Sequence, residues 1–235
     1  GDTILLAPAT YVLADAAGIA VTNGVRLVGV AGPDATVVAA KPNGTADSKL
    51  LKLVDGRVDG ITFSNACLKT RGAAAAGFHA SGASLVANCV LTDFHSPDGN
   101  GYAVHLDGTT EMSGSVVRNI STPNATAWNQ LVAVYLNGSA NVHDCIFTNN
   151  QVRYNYGATV TIAGASAALR RSLVKGNTLL RIESQTCAAG VVVSGSGVLE
   201  DCVIDGNVSQ GCSQSRVGHA GGLVVSGAGA TVRRC

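Results

Sequence analysis

The sequence is short of charge, of aromatic rings and of long apolar runs. Only 13% of its 235 residues are charged and 4% aromatic, with one Trp and one Met. Charge at about half the usual quarter argues against a disordered chain or a coiled coil. A net charge of +1 leaves no basic footprint, so nucleic acid is not an expected partner. No stretch approaches the ~18 apolar residues of a membrane helix, so no membrane insertion by this segment is expected. The seven cysteines include no CxxC pair, which argues against zinc, and no metal or cofactor is expected. Nothing at Gly1 reads as a charged-then-apolar leader, so a leader is either removed or was never present. What the chain does have is small residues: it is 46% hydrophobic, rich in Ala and Val, and holds 29 Gly. That balance suits many thin, similar layers.

A repeat explains the balance. A short apolar run ending in Gly recurs at Gly24, Gly56, Gly82, Gly108, Gly138, Gly164, Gly195 and Gly227, at steps of 26 to 32 residues. Within the runs Val104, Leu106, Val134, Leu136, Val160, Ile162, Val191 and Val193 alternate with other residues, the period of a strand. One strand in a fixed column every ~29 residues means coils stacked in parallel, each burying its inward side chains against its neighbours. The expected fold is all-β: a single-stranded parallel β-helix (β-solenoid) of about eight coils. At ~4.8 Å per coil the column stands roughly 40 Å tall. Residues 1–235 are expected to form one β-helix domain. Residues 1–18 would be its first coil or cap, and the last coil would continue onward or pack on a partner, because Cys235 ends in mid-rung without a polar cap.

Each copy has a second half. A small residue follows the Gly at Cys89, Ser115, Cys145, Ser172, Cys202 and Cys235, which suits a tight inward corner. Asn150, Asn177 and Asn207 come next, as expected of stacked amides in a buried turn. Asn65 and Asn119 lie within one residue of that column, and Phe94 breaks it. The stacked glycines, Gly82 to Gly227, suit a bend with positive φ or close approach of the coil above. Signs alternate along Asp144, Arg171, Asp201 and Arg234, and His143, Arg170, Glu200 and Arg233 occupy the column before. These predict cross-coil ion pairs of ~0–1 kcal/mol each.

The residues also resemble known proteins. GDTILLAPATYVL resembles the first coil of pectin-lyase-like right-handed β-helices, and that resemblance implies right-handedness. Gly221-Gly222-Leu223-Val224 and Phe147-Thr148-Asn149-Asn150 resemble the GGA[ILV] and FxxN repeats of polymorphic-membrane-protein (Pmp)-type surface proteins; Ala189 to Val192 and Ile204 to Asn207 are looser versions. The Pmp-type resemblance implies a long, secreted or surface-exposed protein serving adhesion or structure.

Candidate sites follow from the columns. Lyases and hydrolases of the pectin-lyase-like fold need clustered carboxylates. Asp55 and Asp107, each just before a column Gly, lie two coils apart with Ser81 between, roughly 10 Å at the coil spacing. That is too wide for a shared proton or a two-carboxylate metal site. No catalytic residue is named, and the chain is expected not to be an enzyme. Three positions before the Gly, His79, His105, Tyr135 and Thr161 form an outward row. It is either a solvent-facing ladder of stacked rings or a ligand contact, to which Tyr102 and Trp128 could add by stacking on a sugar. Val90, Val116, Ile146, Leu173 and Val203 form either an outward apolar stripe for lateral contact or core, depending on the phase of the corner. Disulfides fit an oxidising compartment, with Cys187 to Cys212, Cys202 to Cys235 and Cys67 to Cys89 as open pairings, and the odd count leaves one thiol or an outside partner. Of the five N-x-[ST] sequons, Asn43, Asn124 and Asn137 are the expected glycosylation sites, whereas Asn207 belongs to the buried ladder. The expected function is a non-enzymatic structural or adhesive extracellular module of a larger surface or secreted protein. Its partners would be other protein chains, further domains of the same protein, or surface glycans. The alternative is a carbohydrate-active enzyme of the pectate-lyase or polygalacturonase kind.

Overall fold

A computed structural model describes residues 1–14, 17–41, 48–69, 76–97, 101–122, 131–153, 158–182, 187–212 and 219–235. Among them there is no helix. The strands, two to six residues long, stack into three parallel sheets. The first face runs from Thr3–Leu6 to Thr231–Arg233 in nine strands, and the second from Ala9–Leu13 to Val203–Asp205 in eight. The third starts at Ile19–Thr22 and reaches Leu223–Val225 through Val160–Ile162 and Val191–Val193. The described residues thus make eight coils and one further strand, the parallel β-helix that the repeat predicts. One antiparallel pair, Leu131 with Arg153, interrupts the third face.

Register is kept coil by coil. On the second face Leu91, Val117, Phe147 and Val174 stack inward, and all four are buried. All four phenylalanines of the chain, Phe63, Phe78, Phe94 and Phe147, lie fully inside. Phe63 meets Phe78 edge to face at 5.2 Å. The phenylalanines are thus all in the core, and small residues fill the remaining thickness of each layer.

Single residues in the left-handed conformation make the corners. Between the first and second faces stand Asn88, Gly114, Asp144, Arg171, Asp201 and Arg234, with φ between 42° and 56°. The next residue turns inward: Cys89, Ser115, Cys145, Ser172 and Cys202 are all buried. Serine suits this corner because its Oγ closes a circuit. Ser115 Oγ accepts the Cys89 amide at 3.0 Å and donates to the Ser113 carbonyl, and Ser172 does the same for Cys145 and Arg170. A second left-handed column, Asp93, Asn119, Asn149, Gly176 and Gly206, ends the second face. Asn119 and Asn65 belong to this outer position, one residue before the inner column, within the one-residue offset read from the sequence. The inner column holds Phe94 and Ile120 below, then Asn150, Asn177 and Asn207.

These three amides form one chain of bonds. Asn177 Oδ1 accepts both the backbone N–H and Nδ2 of Asn150, each at 3.0 Å, and Asn207 Oδ1 serves Asn177 in the same way. Each Nδ2 also donates to a carbonyl of the coil on its other side, so the buried donors and acceptors are satisfied. The glycine column is a contact of backbone on backbone. A Cβ on Gly164 would lie 2.3 Å from the Gly138 carbonyl oxygen, and one on Gly227 2.0 Å from that of Gly195.

Candidate functional site

The third face carries the polar and aromatic cluster. In the left-to-right register of its strands the outer row reads Lys52, His79, His105, Tyr135, Thr161 and Val192. Alternation places these side chains outside the coil, but the row is not a solvent-facing ladder. His105 is 3% exposed, Thr161 4% and Val192 5%. His105 is covered by Tyr102, Tyr135 and His79, and at the upper coils there is a second layer. Cys187–Ala188 pairs with His219–Ala220, and Ala188, Ala158 and Val192 close a small apolar cluster of their own with Ala220 and Val224. The sequence signal for such a cover is the insertion of variable length before each strand of this face.

Within the row the rings order themselves. His79 and His105 stack at 5.0 Å with planes 16° apart, and Tyr102 stacks on Tyr135 at 4.5 Å and 15°. Tyr102 and Tyr135 each lie 5.5 Å from His105. Burial pushes the His105 imidazole down to about 4, with His79 adding to the shift and Asp107 opposing it. Burial likewise lowers His79, helped by Lys52 and Lys49 against Asp107. Both rings are therefore neutral near pH 7, and His79 Nε2 and His105 Nδ1 are buried with no hydrogen-bond partner. Burial raises both tyrosines, which stay protonated.

A cavity of about 190 Å³ opens at His79, lined also by Lys49, Leu51, Lys52 and Ala76. Lys49 and Lys52 are absent from the sequence reading; the signal for Lys52 is the continuation of the His79 row one coil down. Asp107 borders the row from the glycine corner, where its Oδ1 accepts the Gly108 amide and Asn137 Nδ2. Asp55 does not share its column. Val54, not Asp55, is in register with Ser81, so Asp55 falls in the glycine column, adopts φ 50° and accepts the Ala83 amide. The turn here is one residue shorter, which the Gly spacing hides. No three His, Cys, Asp or Glu converge as a metal site among the described residues.

No family model matches the chain, and no curated protein matches it significantly. Two solved structures are similar. One is the catalytic domain of a GH87 alpha-1,3-glucanase, at 10% identity and TM-score 0.28, covering 98% of this chain and 63% of that one. The other is the A-module of the Azotobacter vinelandii mannuronan C-5 epimerase AlgE4, at 11% identity and TM-score 0.21, covering 97% and 91%. The chain thus spans less than two thirds of the glucanase domain. The expectation of a chain that is not an enzyme is corrected to this extent: both neighbours are enzymes, and a likeness this slight carries no activity over to this chain.

The remaining sequence-derived residues are placed as follows. Val90, Val116, Ile146, Leu173 and Val203 are in register on the outside of the second face, because the single left-handed corner residue preserves alternation. Ile146 is 40% and Val203 59% exposed. Cys202 and Cys235 are not bridged. Each is a thiol whose Sγ donates to the carbonyl two residues back, of Glu200 and of Arg233. Cys187 is buried, and the side chain of Cys212 lies outside the described residues, as do Asn43, Asn124 and Trp128. The Asn137 amide is half-buried and donates to Asp107. The charge columns pair across coils: Arg171 is bidentate on Asp144 at 2.9 and 2.8 Å, and Glu200 gathers Arg170, Arg233 and Arg234.

Proposed function

We propose that this β-helix, as part of a secreted or surface protein, binds and acts on an acidic glycan at the outer side of its third face. The observation that carries the reading is His79, whose Nε2 has no partner and whose side chain lines a cavity with two lysines at the end of a ladder of stacked rings. Two ammonium groups recognise a carboxylate, and tyrosine and histidine faces suit the apolar side of a pyranose ring. A neutral imidazole beside them has the protonation state of a general base. In this reading His79 takes the proton on the carbon next to the sugar carboxylate. Lys49 and Lys52 stabilise the charge that develops on the carboxylate. Tyr102, held protonated, belongs to the same ring cluster and is the acid available to the leaving or returning face.

The test uses the whole chain with polyuronates and, as control, neutral glucans. Affinity electrophoresis should show retardation by the polyuronate alone, lost in the Lys49→Ala/Lys52→Ala double variant. Formation of unsaturated uronates, or of the epimeric uronate by NMR, should disappear in His79→Ala while binding persists. Equal retardation by neutral and acidic polymers, or none by either, refutes the reading.

A further inference from the structure

The second face carries a row that the glycan reading does not use. Val116, Ile146, Leu173 and Val203 project from four successive coils, and charged columns flank them on both sides. On the corner side the fifth to eighth coils offer Gly114, Asp144, Arg171 and Asp201. On the other side they offer Arg118, Thr148, Lys175 and Asp205, in register with one another. An open groove of about 440 Å³ lies along the stripe between Asp144, Arg171 and Asp201.

We propose that this face docks a second copy of the chain, around a twofold axis parallel to the strands and passing between the sixth and seventh coils. Such an axis keeps strand direction and reverses coil order. The corner column of one copy therefore faces the corner column of the other, read backwards. Arg171 then opposes the partner's Asp144, and Asp144 the partner's Arg171. On the far side Asp205 opposes the partner's Arg118, again twice. Leu173 covers the partner's Ile146, and Val203 covers the partner's Val116. No like charges meet. The other face-to-face arrangement, with the axis along the solenoid, sets the corner column against the far column at the same level. Arg171 would face Lys175 and Asp201 would face Asp205, and like charges would repel at both levels. The charge order thus selects one symmetry.

The charges remain available although some are already paired. Arg171 and Asp144 are about half exposed, as are Lys175 and Asp205, which pair at 3.1 Å. A guanidinium has five donors and a carboxylate about four acceptor sites, so each can take a second partner. Two sheets packed face to face stand ~10 Å apart, a gap that an arginine spans to a short carboxylate. Four coils of one narrow face make a small interface, below the ~800 Å² per partner of standard complexes. The dimer is accordingly weak and sensitive to salt.

Sedimentation velocity of the full chain across a concentration series tests the proposal. The wild type should show a monomer–dimer equilibrium that weakens at high salt. Arg118→Asp and Asp205→Arg should each weaken association roughly tenfold, the equivalent of ~1.4 kcal/mol. The charge-swapped double variant, Arg118→Asp with Asp205→Arg, should restore it, which an effect on folding would not do. Circular dichroism confirms that each variant keeps its strands. A chain that stays monomeric at every concentration overturns the proposal and leaves the stripe to a different protein. So does a dimer indifferent to both single variants, or a double variant no better than either.

Discussion

His105 makes the stability of the column depend on pH in a window that the carboxylates do not share. Its imidazole titrates near 6.5 when exposed and near 4 in the folded chain, because burial under Tyr102 and Tyr135 and beside His79 disfavours the cation. Between those values the unfolded chain binds more protons than the folded one. Stability is therefore fully present above about 6.5 and falls as the pH drops toward 4. The difference is worth about 2–3 kcal/mol once some solvent screening is allowed for. His79 pulls in the same direction. The carboxylates with lowered values, Asp144 at about 2 and also Glu200 and Asp201, lose their contribution only below the ordinary carboxylate range. The assay is urea unfolding of wild type and His105→Phe, a change that keeps a ring in the stack and removes the titration. From about pH 7 to about pH 4.5 the wild type should lose about 2 kcal/mol more than the variant. Parallel losses in the two proteins would refute the placement of His105 as a buried neutral ring.

Other perturbations follow from the ladders. Gly108→Ala sets a Cβ 2.8 Å from the Gly82 amide nitrogen in a left-handed residue, whereas Gly176→Ala shares the positive φ but meets nothing within 4 Å. Thermal unfolding should show about 1 kcal/mol lost at Gly176 and clearly more at Gly108. Asn177→Asp removes the donor that reaches the Phe147 carbonyl and Asn207 Oδ1 and buries oxygen against oxygen; it should cost more than 2 kcal/mol in chemical denaturation. Phe147→Ala opens a cavity in the centre of the sixth coil and should cost about 3–5 kcal/mol by the same measurement. Burial pushes the Cys89 and Cys145 thiols up to about 12. In the folded protein an alkylating reagent near neutral pH should therefore label exposed Cys235 and spare both, as read by mass spectrometry.

How much of this was legible in the sequence depends on what each signal measures. Spacing of Gly, Cys or Ser, and Asn reports corners, and the corners are local, so the coil, its period and the stacked amides could be read directly. The charge columns were legible for the same reason, since Asp144, Arg171, Asp201 and Arg234 all hold the left-handed corner position. The stripe on the second face stayed ambiguous because alternation crosses a bend. Only the φ of that one residue decides whether Val90 and Ile146 turn in or out. The misplacement of Asp55 has a similar origin. One residue lost from the turn between Val54 and Arg57 leaves the Gly motif looking intact while it shifts the carboxylate into the glycine column.

The site on the third face was half legible, and the missing half explains why it resembles a site at all. Alternation correctly sends His79, His105 and Tyr135 out of the coil, and on a bare solenoid that means water. What alternation alone does not carry is the cover: Tyr102 and Tyr135 lie against His105, and Cys187–Ala188 pairs with His219–Ala220 at the upper coils. Cover changes the chemistry of the same residues. An exposed His105 would titrate near 6.5 and form hydrogen bonds with water, whereas the covered ring is held neutral, with a nitrogen that lacks a partner. A buried polar atom left unsatisfied costs stability, and this row holds three of them, His79 Nε2, His105 Nδ1 and Thr161 Oγ1, the first on a residue that shares a cavity with two lysines; that cost is what the proposed ligand would relieve. That argument separates this row from the ion pairs of the first face. There, His143 meets Glu111 and Asp144, and Glu200 meets Arg170, Arg233 and Arg234, so these side chains hold partners on neighbouring coils.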